Sequence, residues 1–104
     1  MFDLMYANYD NEKFDHDKLF AFIRGHQKEF FIFVVNFSSE DKYTELNIPK
    51  HAFDCLSIND GALFDVEDLM IEESADLIIS SLERLKFNVP ANSAKILMCV
   101  ETGS

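Results

Sequence analysis

Few residues in this chain are of the types that do chemistry, and their spacing decides what they could do together. Three histidines stand at His16, His26 and His51. No zinc signature is read from them, because a structural zinc needs a closely spaced set of nitrogen and sulfur donors. His16 and His26 fall in stretches that read as turns, where a solvated ring is the ordinary state. The two cysteines, Cys55 and Cys99, lie far apart and form no Cys-x-x-Cys. They read as reduced, mostly buried thiols, with a single bridge between them as the alternative. Neither neighbours a basic or glycine-rich turn that would favour a thiolate.

Carboxylates are more plentiful. The stretch DVEDLMIEE carries Asp65, Glu67, Asp68, Glu72 and Glu73. Two carboxylates on facing elements are what glycoside hydrolysis requires. An acidic chain holds many such pairs, so a solvated strand edge is the simpler reading. The neighbouring DGALFDVED lacks the ligand spacing of a calcium loop. There is no Gly-x-Ser-x-Gly and no glycine-rich phosphate loop. The sequence therefore leads us to expect no catalytic residue, no metal site and no cofactor. What remains is aromatic. Tyr6, Tyr9, Phe14 and Tyr43 lie outside the long apolar runs. Sugars stack on exposed aromatic faces, best on Trp, and Trp is absent. Packing against another domain or a strand edge is the plainer role for Tyr6 and Tyr9.

The elements that must position these residues are strands. With 104 residues, 48% of them hydrophobic and 11 of them Phe, the chain holds enough for one core. Only 3 Gly and 2 Pro exclude a low-complexity linker. The net charge of −10 would repel nucleic-acid phosphate and an anionic membrane, so neither is an expected partner. No apolar run approaches the ~20 residues that span a bilayer, and Met1 is not followed by a leader pattern.

The strongest local signal is FFIFVVNFSSE, Phe30 to Glu40. Its continuous apolar content predicts a central strand with both faces covered. It follows KLFAFIR and the short loop GHQKE, which together predict a hairpin. Asn36 is expected to bond the backbone where the strand leaves its sheet, and Phe37 to return to the core. FDLMYANYD reads as a short strand or extended lead-in, and YTELNIP as a half-exposed strand. PKHAFDCL reads as one helical turn, with Pro49 favoured at its first position. FDVEDLMIEE, Phe64 to Glu73, reads as a short strand. The segment from Ser74 is ambiguous: Ala75, Ile78, Ile79, Leu82 and Leu85 fit a helix capped by Ser74, whereas Leu85, Phe87 and Val89 alternate as a strand from Arg84 to Val89. AKILMCV is a final buried strand.

Short strands separated by turn signals predict an all-β fold, a two-layer antiparallel β-sandwich of about seven or eight strands with Greek-key-like connections and a helical turn near residues 50–56. The chain reads as a single domain over 1–104, with 1–17 as lead-in and first strand and 101–104 as a frayed tail.

The order of these motifs resembles the C-terminal β-sandwich domain of the α-amylase family of glycoside hydrolases. The matching residues are Phe20 to Arg24, then Val34 to Ser38 (VVNFS), then Leu46 to Pro49. Asp68 to Glu73 is similar to the family's DLLTGE strand and turn, with Met70 and Ile71 departing from it. FNVPANSAKIL resembles the closing hairpin. The lead-in resembles the junction that follows the catalytic barrel in amylase-like proteins of gut bacteria. The resemblance implies a non-catalytic accessory domain whose partner is the catalytic (β/α)₈ barrel of the same parent chain. The alternatives are a binding module for starch-like α-glucan and a small enzyme in its own right. The surface expected to meet the barrel or a sugar comprises Phe2, Leu4, Tyr6, Tyr9 and Tyr43, the first four because they precede the first firm strand.

Overall fold

A computed structural model describes residues 2–26 and 28–102. Eight strands, one short helix and one 3₁₀ turn follow in order. They are β1 (Phe2–Asp3), the 3₁₀ turn (Tyr6–Asn8), β2 (Leu19–His26), β3 (Glu29–Asn36), β4 (Lys42–Leu46), α1 (Lys50–Cys55), β5 (Leu63–Asp68), β6 (Glu73–Ile78), β7 (Leu85–Val89) and β8 (Ser93–Glu101). They form a six-stranded sheet in the order β1-β2-β3-β8-β5-β6 and a two-stranded sheet of β4 and β7. Every pairing is antiparallel. The chain leaves the large sheet after β3, returns at β5, leaves again for β7 and returns as β8. This is the all-β sandwich expected from the strand pattern.

The core lies between the sheets and follows from side-chain alternation. In β3, Phe30, Ile32 and Val34 point inward and are buried, while Phe31, Phe33 and Val35 point outward and are half-buried. Leu19, Ala21 and Ile23 of β2, Phe64 and Val66 of β5, and Leu97 and Cys99 of β8 join the same cluster. Leu46 and Val89 supply it from the small sheet, and Ala52 and Phe53 from α1. Gly25 lies in β2 just before the β2–β3 turn, opposite Phe30, and its φ of +145° suits only glycine. A Cβ there would also collide with the Cα of Phe30.

Asn36 closes β3 as its sequence context suggested. Its Nδ2 donates to the carbonyls of Glu40, Val89 and Pro90 at 2.8, 3.0 and 3.2 Å, and its Oδ1 accepts from the Ser38 N–H at 2.8 Å. The side chain is buried, so these bonds tie three chain segments together where the strand ends.

Several local expectations are corrected. Phe37 does not return to the core but is 69% exposed, because the strand ends one residue earlier and the Asn36 bonds hold the turn. Within this chain the core covers the central strand on one face, and its outer face is half-open. Ser74 caps no helix: residues 63–68 and 73–78 form a hairpin, with Glu72 at φ +56° in its turn. A helix there would bury Ile78, Leu82 and Leu85 on one stripe, yet Ile78 and Leu82 are exposed and Leu85 packs from β7. The expected strand over Phe64 to Glu73 is thus β5 plus a turn. Pro49 precedes α1 as its extended N-cap instead of occupying the first helical position. Among the described residues of the lead-in only Phe2–Asp3 is strand. At the other end Glu101 belongs to β8 and Thr102 N–H donates to the Leu63 carbonyl, so both are tied down; Gly103 and Ser104 of the expected frayed tail lie outside the described residues.

Candidate interaction surface

The lead-in is held to the sandwich by two buried asparagines. Asn8 Nδ2 donates to the carbonyls of Leu4 and Asn47, and Asn8 Oδ1 accepts from the Asn47 N–H at 2.6 Å. Asn11 Nδ2 donates to Asn8 Oδ1 and to the Glu45 carbonyl. A segment without regular structure must satisfy its neighbours' backbone groups by other means, and these side chains do so. Leu4 anchors the same segment by burial in the core, so it belongs to no surface patch. Phe14, taken from the sequence as outside the core, is buried as well. Both corrections have one cause: the 3₁₀ turn and the asparagine bonds fold the lead-in back onto the sandwich.

Tyr6 and Tyr9 do reach solvent, at 95% and 63% exposure. Tyr9 lies against His16, with ring centroids 4.5 Å apart. An open cleft of about 430 Å³ runs between Asp3, Met5, Tyr6, Tyr9 and His16. A second, of about 510 Å³, lies beside Phe2, Tyr6, Pro49 and His51. Phe2 is half-buried and meets the edge of the His51 ring. The lead-in edge therefore brings together Phe2, Tyr6 and Tyr9 of the expected set.

Tyr43 lies apart from them, on β4, with 53% of its surface exposed. Its hydroxyl donates to Glu45 Oε2 at 3.2 Å. Local loss of water raises its pKa first, and the hydrogen bond to Glu45 and that carboxylate's charge raise it further.

The carboxylates of residues 65–73 do not converge on an acid–base pair. Asp68 points inward and forms a 2.7 Å ion pair with Lys95, both side chains largely buried. Asp65 lies on the opposite face, directly across from Asp76. Glu72 and Glu73 end the hairpin turn in solvent. The thiols differ from each other. Cys99 is buried and its pKa is pushed up to about 12 by that burial, whereas Cys55 is exposed, contrary to the expectation of two buried thiols; both are free. His51 and Cys55 stand four residues apart, a helical spacing visible in the sequence and passed over there. On α1 it brings Cys55 Sγ within 3.4 Å of His51 Nε2. Two donors do not make a metal site, and among the described residues no group of three or more ligating side chains gathers. No buried side-chain nitrogen or oxygen among them lacks a partner, so no polar group is held waiting for a ligand.

A larger feature, expected from the sequence only as the covered second face of the strand beginning at Phe30, is the outer face of the six-stranded sheet. Phe22 and Phe33 stack at 4.6 Å with planes 10° apart. Phe20 lies 5.8 Å from Phe22, and Phe31 lies 6.2 Å from Phe33. The register carries this face onto β8, where Phe33 is opposite Ile96 and Phe31 is opposite Met98. The signal was present in the alternation: Phe20 and Phe22 are interleaved with Leu19, Ala21 and Ile23, so both faces of β2 are apolar.

Comparison with known proteins places this architecture. The family model described as the alpha amylase C-terminal all-beta domain matches residues 9–100. No curated protein sequence matches the chain. Among solved structures, alpha-galactosidase I from Mortierella vinacea superposes with a TM-score of 0.63 at 10% identity, over 88% of this chain and 23% of that one. An alpha-amylase from Anoxybacillus gives a TM-score of 0.53 at 15% identity, over 85% of this chain and 17% of that one. At such identities the superpositions speak to fold alone. The chain thus spans a fifth or so of the length of these glycosidases. By the family match, it belongs to the alpha amylase C-terminal all-beta domain family.

Proposed function

We propose that this family member is a non-catalytic accessory domain that packs on the catalytic barrel of a glycoside hydrolase and stabilises it. The observation that carries this reading is the family match over residues 9–100, in a chain that covers only 17–23% of the two glycosidases compared. The scattered carboxylates agree with it, since hydrolysis of a glycosidic bond needs two of them at a fixed separation. Nucleic acid and anionic membrane are poor partners for a surface with a net charge of −10. The test compares the parent enzyme with and without this domain. Removing it should lower the parent's melting temperature by several degrees, and the isolated chain should release no sugar from soluble starch. Turnover by the isolated chain, or an unchanged melting temperature of the truncated parent, would refute the accessory role.

A second reading, binding of starch-like α-glucan, draws on Tyr6, which is almost fully exposed beside Tyr9 and His16. Such a row can stack on sugar rings. Titration with maltoheptaose should then give saturable NMR shifts centred on Tyr6 and Tyr9 or on Tyr43; flat titration curves at millimolar sugar would dismiss it.

A further inference from the structure

Granted the accessory role, we infer that the barrel sits on the outer face of the six-stranded sheet, over Phe20, Phe22, Phe31, Phe33, Ile96 and Met98, and leaves Tyr6 and Tyr9 free.

An antiparallel sheet with one face in water carries polar residues on that face. Here the solvent side carries phenylalanines on β2 and β3, and Ile96 and Met98 on β8, instead. Their rings form a continuous array, from Phe20 through the Phe22–Phe33 stack to Phe31. The inner face of the same strands is fully used by the core. Apolar residues on both faces of a strand are the pattern of a sheet covered on both sides. The lead-in edge offers less. Leu4 is buried, and Tyr6 and Tyr9 are two amphipathic rings among Asp3, Asp10 and His16.

Two observations choose the occupant. The first is the path of the chain. β1 pairs with β2, and Asp3 stands opposite Phe22, so a preceding segment arrives at the side of the phenylalanine array. A domain upstream would thus join the sandwich at the sheet edge that borders the phenylalanine array. The second is charge. The register sets Asp3, Glu29, Asp65, Glu67 and Asp76 on the same face as the phenylalanines. Arg24 is the one basic side chain among the described strand residues there. Two copies docked face to face would press five carboxylates against five. A second copy is therefore the wrong occupant, and a surface with an apolar centre and a rim of Lys and Arg is the right one.

Hydroxyl-radical footprinting of the isolated chain and of the parent enzyme reads side-chain access directly. Oxidation of Phe20, Phe22 and Met98 should fall at least about fivefold in the parent, with Tyr6 and Tyr43 changing less than about twofold, as buried core and open surface require. Protection of Tyr6 and Tyr9 with the phenylalanines unchanged would overturn this surface and leave the accessory role standing. Protection nowhere would overturn both. Protection of the phenylalanines in the isolated chain, growing with its concentration, would assign the face to a second copy and overturn the inference.

Discussion

The β2–β3 and β5–β6 hairpins lie on either side of β8 with equally regular backbone pairing, and β5 alternates buried and open residues as β2 and β3 do, but β6 does not. Across β2–β3 every second residue is buried, and the pair supplies Leu19, Ala21, Ile23, Phe30, Ile32 and Val34 to the core. In β6 all six residues are exposed, and Asp76 faces Asp65 across the ladder, a like-charge pairing that weakens the sheet. Backbone hydrogen bonds are therefore common to both hairpins and cannot account for a difference in their stability. Side-chain burial can, because it is the larger net term. We expect β2–β3 to open only with the whole domain and β6 to open locally. The weakness of β6 has a use. It is an edge strand, and Glu73 and Asp76 keep a bare edge from recruiting a foreign strand.

The contrast breaks first at Phe30. Its ring is buried and meets the edge of Phe64 at 5.1 Å. Phe30→Ala should cost about 4 kcal/mol in chemical denaturation, whereas Ile78→Ser on β6 should stay within about 0.5. Equal losses would mean that the hairpins are equally anchored. The next effect is at the end of β3. Asn36→Leu leaves buried carbonyls and the Ser38 N–H without partners and should cost about 2 kcal/mol. An undiminished denaturation midpoint would remove Asn36 from the account of why the strand stops. The smallest effect sits between the hairpins, on β8, where Cys99 is paired with Phe30 on one side and Val66 on the other. Burial keeps its proton on to about pH 12, against an ordinary value of 9.0. Between these values the unfolded chain has released a proton that the folded chain retains, so stability falls as pH rises. The slope from this group is at most about 1.4 kcal/mol per pH unit. Denaturation midpoints at pH 8 and pH 10 should therefore diverge less in Cys99→Val than in the natural chain. Identical divergence in both would show that Cys99 is not the titrating group.

The same contrast explains what could be read from the sequence. The β2–β3 hairpin was legible because Gly25 interrupts two apolar runs, and β7 because Leu85, Phe87 and Val89 alternate with polar residues. β6 was not, since a strand exposed on both faces has no hydrophobic period, and its Ala75 and Ile78, with Ile79 just beyond it, happen to fall at helical spacing. The fate of Leu4 and Phe14 turns on Asn8 and Asn11, whose partners Asn47 and Glu45 lie more than thirty residues away. No local pattern announces such bonds. The phenylalanine face was half-legible: Phe31 and Phe33 stand inside the run read as a doubly covered strand, whereas nothing in KLFAFIR alone shows that Phe20 and Phe22 share their face. Of the aromatics outside the runs, Tyr6 and Tyr9 reach the surface and Phe14 does not.

β8 follows the other seven described strands in sequence yet lies in the middle of the large sheet, between β3 and β5. On the ribosome, β1 to β3 emerge before the strand that completes their sheet, and β5–β6 wait as a detached hairpin. The sandwich can assemble only when residues 93–101 have cleared the exit tunnel and slid between the two halves, a step dominated by contacts remote in sequence. Until then the apolar edge of β3 stands open to whatever else is nearby. The order of strands thus makes the emergence of β8, not that of β1, the moment at which this domain commits to its fold.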